Sequence, residues 1–144
     1  MTLEHNQYLL SDGVNPLFLA EKYDCPFYVY DSAIIKRQYN RMVNAFDVKQ
    51  LKIKYACKAL TNISILKYMK QLGAGLDTVS IQEVYLGLKA GFLPHEIMYT
   101  PNCVSLEEIE EAVKLGVNMN IDNISILEQF GHDYPDVPIC IRIN

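Results

Sequence analysis

From residue 51 onward, short β-like runs alternate with stretches whose apolar side chains recur at helical spacing, and a Gly or a capping residue marks each junction. Residues 51–57 lead into Ile63, Leu66, Met69 and Leu72, stopped by Gly73. Residues 76–79 lead into Ser80-Ile81-Gln82-Glu83, then Val84, Leu88 and a terminating Gly91. That tetrapeptide is a capping box, in which a hydroxyl and a carboxylate satisfy free helix N–H groups reciprocally. Residues 97–99 precede a second such box, Ser105-Leu106-Glu107-Glu108, with Ile109, Val113 and a stop at Gly116. Residues 117–121 are followed by Asp122 as N-cap and by Ile124, Leu127 and Phe130 before Gly131, and residues 138–144 read as a last strand. Upstream, residues 27–31 read as a strand behind Pro26, and residues 34–46 as a helix carrying Ile35, Tyr39, Met42 and Phe46.

Strands and helices alternating in this way over residues 51–144 are the pattern of βα units on a parallel sheet. No linker or low-complexity segment interrupts it. A strand as apolar as Ile139-Cys140-Ile141-Arg142-Ile143 needs neighbours on both sides, and an eight-unit barrel takes roughly 250 residues, against 144 here. The pattern therefore predicts the N-terminal part of a longer barrel, with a small self-contained α/β sheet as the alternative.

Half of the residues are hydrophobic and 21% are charged, which excludes disordered and fibrous classes. The net charge is −4, and the Lys and Arg residues are scattered, so no basic stripe offers itself to nucleic acid or anionic lipid. No apolar run reaches the roughly 20 residues that a bilayer span requires. Met1 is followed by polar residues instead of the basic and apolar regions of a signal peptide. A cytoplasmic protein with a small-molecule or protein partner is expected. Cys25, Cys57, Cys103 and Cys140 lie far apart without a C-x-x-C, and His5, His95 and His132 stand at no ligand spacing. Neither a metal site nor a disulfide framework is expected.

In Leu51-Lys52-Ile53-Lys54-Tyr55-Ala56-Cys57-Lys58, the period of two separates an apolar set, Leu51, Ile53, Tyr55 and Cys57, from Lys52, Lys54, Ala56 and Lys58. If the sheet closes into a barrel, the second set points inward and Lys58 stands at the C-terminal rim, where barrel active sites assemble. A desolvated lysine there has a lowered pKa and offers a free amine for a Schiff base; the alternative is an exposed lysine just past a strand. Asp77 ends the next strand and is expected beside Lys58, or else is a loop carboxylate before a helix. Arg142 alternates away from Ile139, Ile141 and Ile143 and so is expected inside the barrel with an anionic partner. Glu83 is accounted for by its capping box.

Tyr55-Ala56-Cys57-Lys58-Ala59 resembles the strand end whose lysine binds pyridoxal phosphate in the alanine-racemase-like, fold-type III enzymes. Leu76-Asp77-Thr78-Val79-Ser80 with Glu83, and Leu88-Lys89-Ala90-Gly91, resemble the Asp-x-x-Ser-x-x-Glu stretch of the group IV decarboxylases. The resemblance continues through Ser105 to Glu108, Gly116-Val117, Ile121-Asp122-Asn123 and Ile141 to Asn144, and Tyr28-Val29-Tyr30-Asp31 is similar to the family's usual N-terminal strand. It implies a pyridoxal-phosphate-binding (β/α)8 barrel of which about five strands are present. Residues 32–144 would form the barrel portion and residues 1–31 a segment whose strand joins a C-terminal β domain. It further implies Lys58 as the cofactor-binding lysine, Asp77 as its neighbouring carboxylate, Arg142 as a cofactor-proximal cation, and a homodimer. The implied reaction is decarboxylation of an amino acid, meso-2,6-diaminopimelate in lysine biosynthesis. Ornithine, arginine or carboxynorspermidine decarboxylation, racemisation, and a non-catalytic cofactor-binding module are the alternatives. Leu60, Ile81-Gln82 and Thr100-Pro101-Asn102-Cys103 depart from the family's usual residues, which bears on substrate choice more than on the cofactor.

Overall fold

The chain partitions into residues 1–51 and 52–144, and the computed structural model describes residues 2–4 and 7–143. In the first unit, strand β1 (Thr2–Glu4) pairs antiparallel with β2 (Gln7–Leu9). Helix α1 (Pro16–Tyr23) opens where the Asn15 side chain accepts from the Leu17 N–H at 2.9 Å, with Pro16 in the first turn, where its missing N–H costs nothing. Helix α2 (Ser32–Asn44) is capped by Asp31, whose carboxylate accepts from the N–H groups of Ala33 and Ile34 at 3.0 and 3.2 Å. The same carboxylate accepts from the Ser11 N–H at 2.9 Å.

That cap sets the start of the helix and leaves residues 27–31 outside any described sheet. Asp31 starts the helix at Ser32, two residues before the expected 34, and residues 27–31 have no ladder partner among the described residues. A strand exists only by pairing. Tyr28, Val29 and Tyr30 are exposed here.

The second unit is a five-stranded parallel sheet in sequence order: β3 (Lys54–Ala56), β4 (Gly75–Thr78), β5 (Ile97–Tyr99), β6 (Asn118–Ile121) and β7 (Cys140–Ile141). Helices α3 (Ile63–Gln71), α4 (Ile81–Ala90), α5 (Leu106–Leu115) and α6 (Ile124–Asp133) make the crossovers. Because each new strand adds beside the last, the order never reverses as it does in a doubly wound sheet; this is barrel order.

Leu76, Ile97, Tyr99, Met119 and Ile121 project from one face of the sheet and join Leu66 of α3, Val84 of α4, Ile109 of α5 and Phe130 of α6 in one buried cluster. All four helices therefore cover the same face. Helix α4 lies close against the sheet at Gly87, where an added Cβ would come within 2.5 Å of Leu76 Cδ2 and 3.2 Å of Ile97 Cδ1. The Tyr99 hydroxyl, wholly buried here, has no hydrogen-bond partner among the described residues.

Several junctions differ from the sequence pattern for identifiable reasons. Strand β3 stops at Ala56 because Cys57–Ala59 forms a 3₁₀ turn, closed by the Leu60 N–H on the Cys57 carbonyl at 3.0 Å. The first capping box forms, with Ser80 Oγ accepting from the Glu83 N–H at 3.2 Å, but the Glu83 carboxylate returns to the Val79 N–H at 2.8 Å, one residue upstream of the cap. The second box does not form. Ser105 makes no cap, because its side chain bonds Glu107 and helps hold that carboxyl below its ordinary range. The cap of α6 is Asn123, not Asp122, and its side chain accepts from Ser125 and Ile126. The same helix runs through Gly131 to Asp133, two residues past the expected stop. Gly91 and Gly116, by contrast, end α4 and α5 with φ of +98° and +70°, a left-handed geometry open to Gly without steric penalty.

Candidate cofactor site at the C-terminal edge of the sheet

The sheet face opposite the helices follows from alternation and register. It carries Lys54 and Ala56 on β3, Gly75 and Asp77 on β4, Met98 on β5, Asn118 and Asn120 on β6, and Cys140 on β7, with Thr100 and Arg142 just past their strands. Two helix-covered layers of apolar residues thus stand behind a face whose C-terminal edge is polar.

Asp77 is tied to the next strand. The Thr100 hydroxyl donates to Asp77 Oδ1 at 2.7 Å, and the Asn120 amide donates to Thr100 Oγ1 at 2.8 Å. Three strands are bridged in turn. Thr100 is itself held where its N–H donates to the Thr78 carbonyl at 2.7 Å, which continues the ladder beyond β5. The sequence reading named Thr100 only within a loop that departs from the family's usual residues, and did not name Asn120. Their signal was the same period of two that singled out Lys58, carried along the later strands: Thr100 alternates with Met98 and Asn120 with Asn118, on the face away from the helices.

Lys58 lies in the 3₁₀ turn after β3 and is exposed, so it is not the desolvated strand lysine that the alternation suggested. That description fits Lys54. Its ammonium donates to the Glu96 carbonyl at 2.9 Å, and partial burial lowers its pKa, opposed by the charge of Asp77. Gly75 makes room for this: an added Cβ would come within 2.7 Å of the Glu96 oxygen and 3.3 Å of Lys54 Cγ. Lys58 by contrast makes no hydrogen bond or ion pair among the described residues, and the structure does not join it to Asp77 as an ion pair.

Arg142 follows β7 and is exposed, its N–H donating to the Ile121 carbonyl at 2.9 Å. Cys57, wholly buried beside Lys58, has its thiol pushed up to about 11 by burial, with Glu83 and Asp77 adding to the effect. Glu83 is buried in its capping role. No group of metal-ligating side chains occurs among the described residues. None of the described helices is long and apolar enough to cross a membrane.

A parallel βα sheet in barrel order, with titratable side chains gathered at the C-terminal strand ends, is the framework of a barrel enzyme. Residues 32–144 match the family model for the pyridoxal-dependent decarboxylases, pyridoxal binding domain, and the chain belongs to that family. Among curated relatives, the diaminopimelate decarboxylase of Methanothermobacter thermautotrophicus is 36% identical over 140 residues, 95% of this chain and 33% of that one. Among solved structures, diaminopimelate decarboxylase from M. jannaschii in complex with L-lysine superposes with a TM-score of 0.86 at 28% identity, covering 98% of this chain and 35% of that one. The Helicobacter pylori diaminopimelate decarboxylase complexed with L-lysine gives 0.80 at 35% identity, covering 90% and 34%. The chain thus spans about a third of the length of the relatives it matches.

Proposed function

We propose that the chain forms the cofactor-binding sheet of a pyridoxal-phosphate-dependent decarboxylase that converts meso-2,6-diaminopimelate to L-lysine and CO2. The observation that carries this reading is the difference between two lysines of one segment: Lys54 is committed to the Glu96 carbonyl, while Lys58, at the strand's C-terminal end, is exposed and uncommitted. Schiff-base formation needs an amine that is not tied to another group and can reach the cofactor's aldehyde.

The residues present suit pyridoxal phosphate. Lys58 Nζ is an amine for the aldehyde, Asp77 is a carboxylate held on the sheet face away from the helices, and Arg142 is a cation at the end of β7. In this reading Lys58 would hold the cofactor through its amine. Asp77 presents negative charge beside it, and Arg142 presents positive charge from the far strand. When bound, pyridoxal phosphate supplies a ring that takes up the electron pair left as CO2 departs. The helix-covered face keeps water from the back of the site.

The substrate is supported by the relatives' names and by the L-lysine held in the two solved diaminopimelate decarboxylases. The family resemblance supports a homodimer. The free thiols of Cys25, Cys57, Cys103 and Cys140 support a reducing, cytoplasmic setting. The test is CO2 release from meso-diaminopimelate by the protein carrying this chain, with cofactor added. The reading expects turnover that Lys58→Ala reduces to background, and equal rates in the two proteins would contradict it.

A further inference from the structure

We propose that Thr100 is a positioning residue for Asp77, and that Asn120 sets the direction in which the Thr100 proton points. The inference rests on the reading that Asp77 faces the cofactor, and it adds two residues that act through Asp77 without touching the cofactor.

The argument is one of donors and acceptors. An ionised carboxylate only accepts, an amide nitrogen only donates, and a hydroxyl has a single proton to give. Asn120 Nδ2 stands 2.8 Å from Thr100 Oγ1, so the hydroxyl oxygen accepts there. Its one proton is then free for Asp77 Oδ1 at 2.7 Å, a distance typical of a hydroxyl bonded to a charged oxygen. The order Asn120 to Thr100 to Asp77 has one direction, with Asp77 as its final acceptor.

Local sequence holds the middle member still. Thr100 precedes Pro101, and the proline ring confines the residue before it to extended backbone. Its β-branched side chain has few rotamers, and its N–H is fastened to Thr78. The carboxylate therefore meets a donor whose backbone, rotamer and proton direction are all fixed. Lys54, the cation whose titration feels Asp77, is turned to the Glu96 carbonyl, which leaves Thr100 as the direct donor to that carboxylate.

The experiment follows the Asp77 carboxyl by ¹³C NMR at neutral pH in the cofactor-free protein carrying this chain, with the resonance assigned by its loss in Asp77→Asn. Thr100→Val should shift that resonance, because the carboxyl carbon reports the hydrogen bond to its oxygen. Thr100→Ser should restore it. Asn120→Asp, which replaces the amide donor by an acceptor that competes for the hydroxyl proton, should shift it as well. An unmoved resonance in Thr100→Val, or no restoration in Thr100→Ser, overturns the proposal. Because no cofactor is present, these outcomes are separate from the cofactor reading, which fails instead if Lys58 carries no cofactor in the loaded protein. In that loaded protein the pH midpoint of the cofactor's visible absorbance should shift in Thr100→Val and return in Thr100→Ser, and an unmoved midpoint in Thr100→Val counts against action through Asp77.

Discussion

The ammonium of Lys54 and the main-chain carbonyl of Glu96 stand 2.9 Å apart, and Gly75 is the residue that lets them meet. The Cβ of an alanine at position 75 would lie 2.7 Å from that carbonyl oxygen, which is backbone and cannot swing away. Gly75→Ala should therefore destabilise the sheet by about 1–3 kcal/mol, as overpacking does. Chemical denaturation reads this directly, and an unchanged midpoint would mean that the lysine does not occupy the sheet face.

Cys57 provides a chemical test of the turn that carries Lys58. Burial, with Glu83 and Asp77 nearby, raises its thiol to about 11, whereas Cys25, Cys103 and Cys140 are exposed. Thiolate is the reactive form. Iodoacetamide at pH 8 should modify the three exposed cysteines and spare Cys57 until denaturant is added. Rapid labelling of Cys57 in the folded protein would show that the turn is open to solvent.

How much of this was legible beforehand depends on the kind of signal. The strand and helix succession from residue 51 was readable because apolar periodicity reports burial directly, and the helix-facing residues Leu76, Ile97, Tyr99 and Met119 behave as the alternation requires. The caps were less readable. Ser105 and Asp122 have the right chemistry for capping, yet Glu107 engages one and Asn123 supplants the other. Residues 27–31 form no ladder among the described residues, because β-propensity specifies a strand only where a partner is supplied, and the partner that the resemblance implies, a C-terminal β domain, is not among them. At the site, Lys58 and Asp77 were visible as motif residues. The Thr100 and Asn120 contacts were not, since a side-chain bond across three strands depends on register that no local pattern encodes.

Asp31 gives the first unit a pH dependence. Bonds from the Ser11 hydroxyl and N–H, and from the N–H groups opening α2, hold its carboxyl at about 2, below the usual 3.8. The folded state binds the proton less tightly than the unfolded chain does. The stabilisation is present above about pH 4 and is lost as pH falls through 3.8 toward 2. Amide exchange at Ala33 and Ile34 should speed up across that window, and Asp31→Asn should flatten the dependence. A profile that does not change on substitution would assign the effect elsewhere.

The most direct measurement of the central claim is borohydride reduction of the cofactor-loaded protein carrying this chain, followed by peptide mass mapping. Lys54 is held at the Glu96 carbonyl, and Lys52 precedes β3, whereas Lys58 follows it. The pyridoxyl mass is therefore expected on Lys58 alone, with visible cofactor absorbance lost in Lys58→Arg and retained in Lys54→Arg. The label on Lys54 or Lys52, or absorbance that survives Lys58→Arg, would contradict the account.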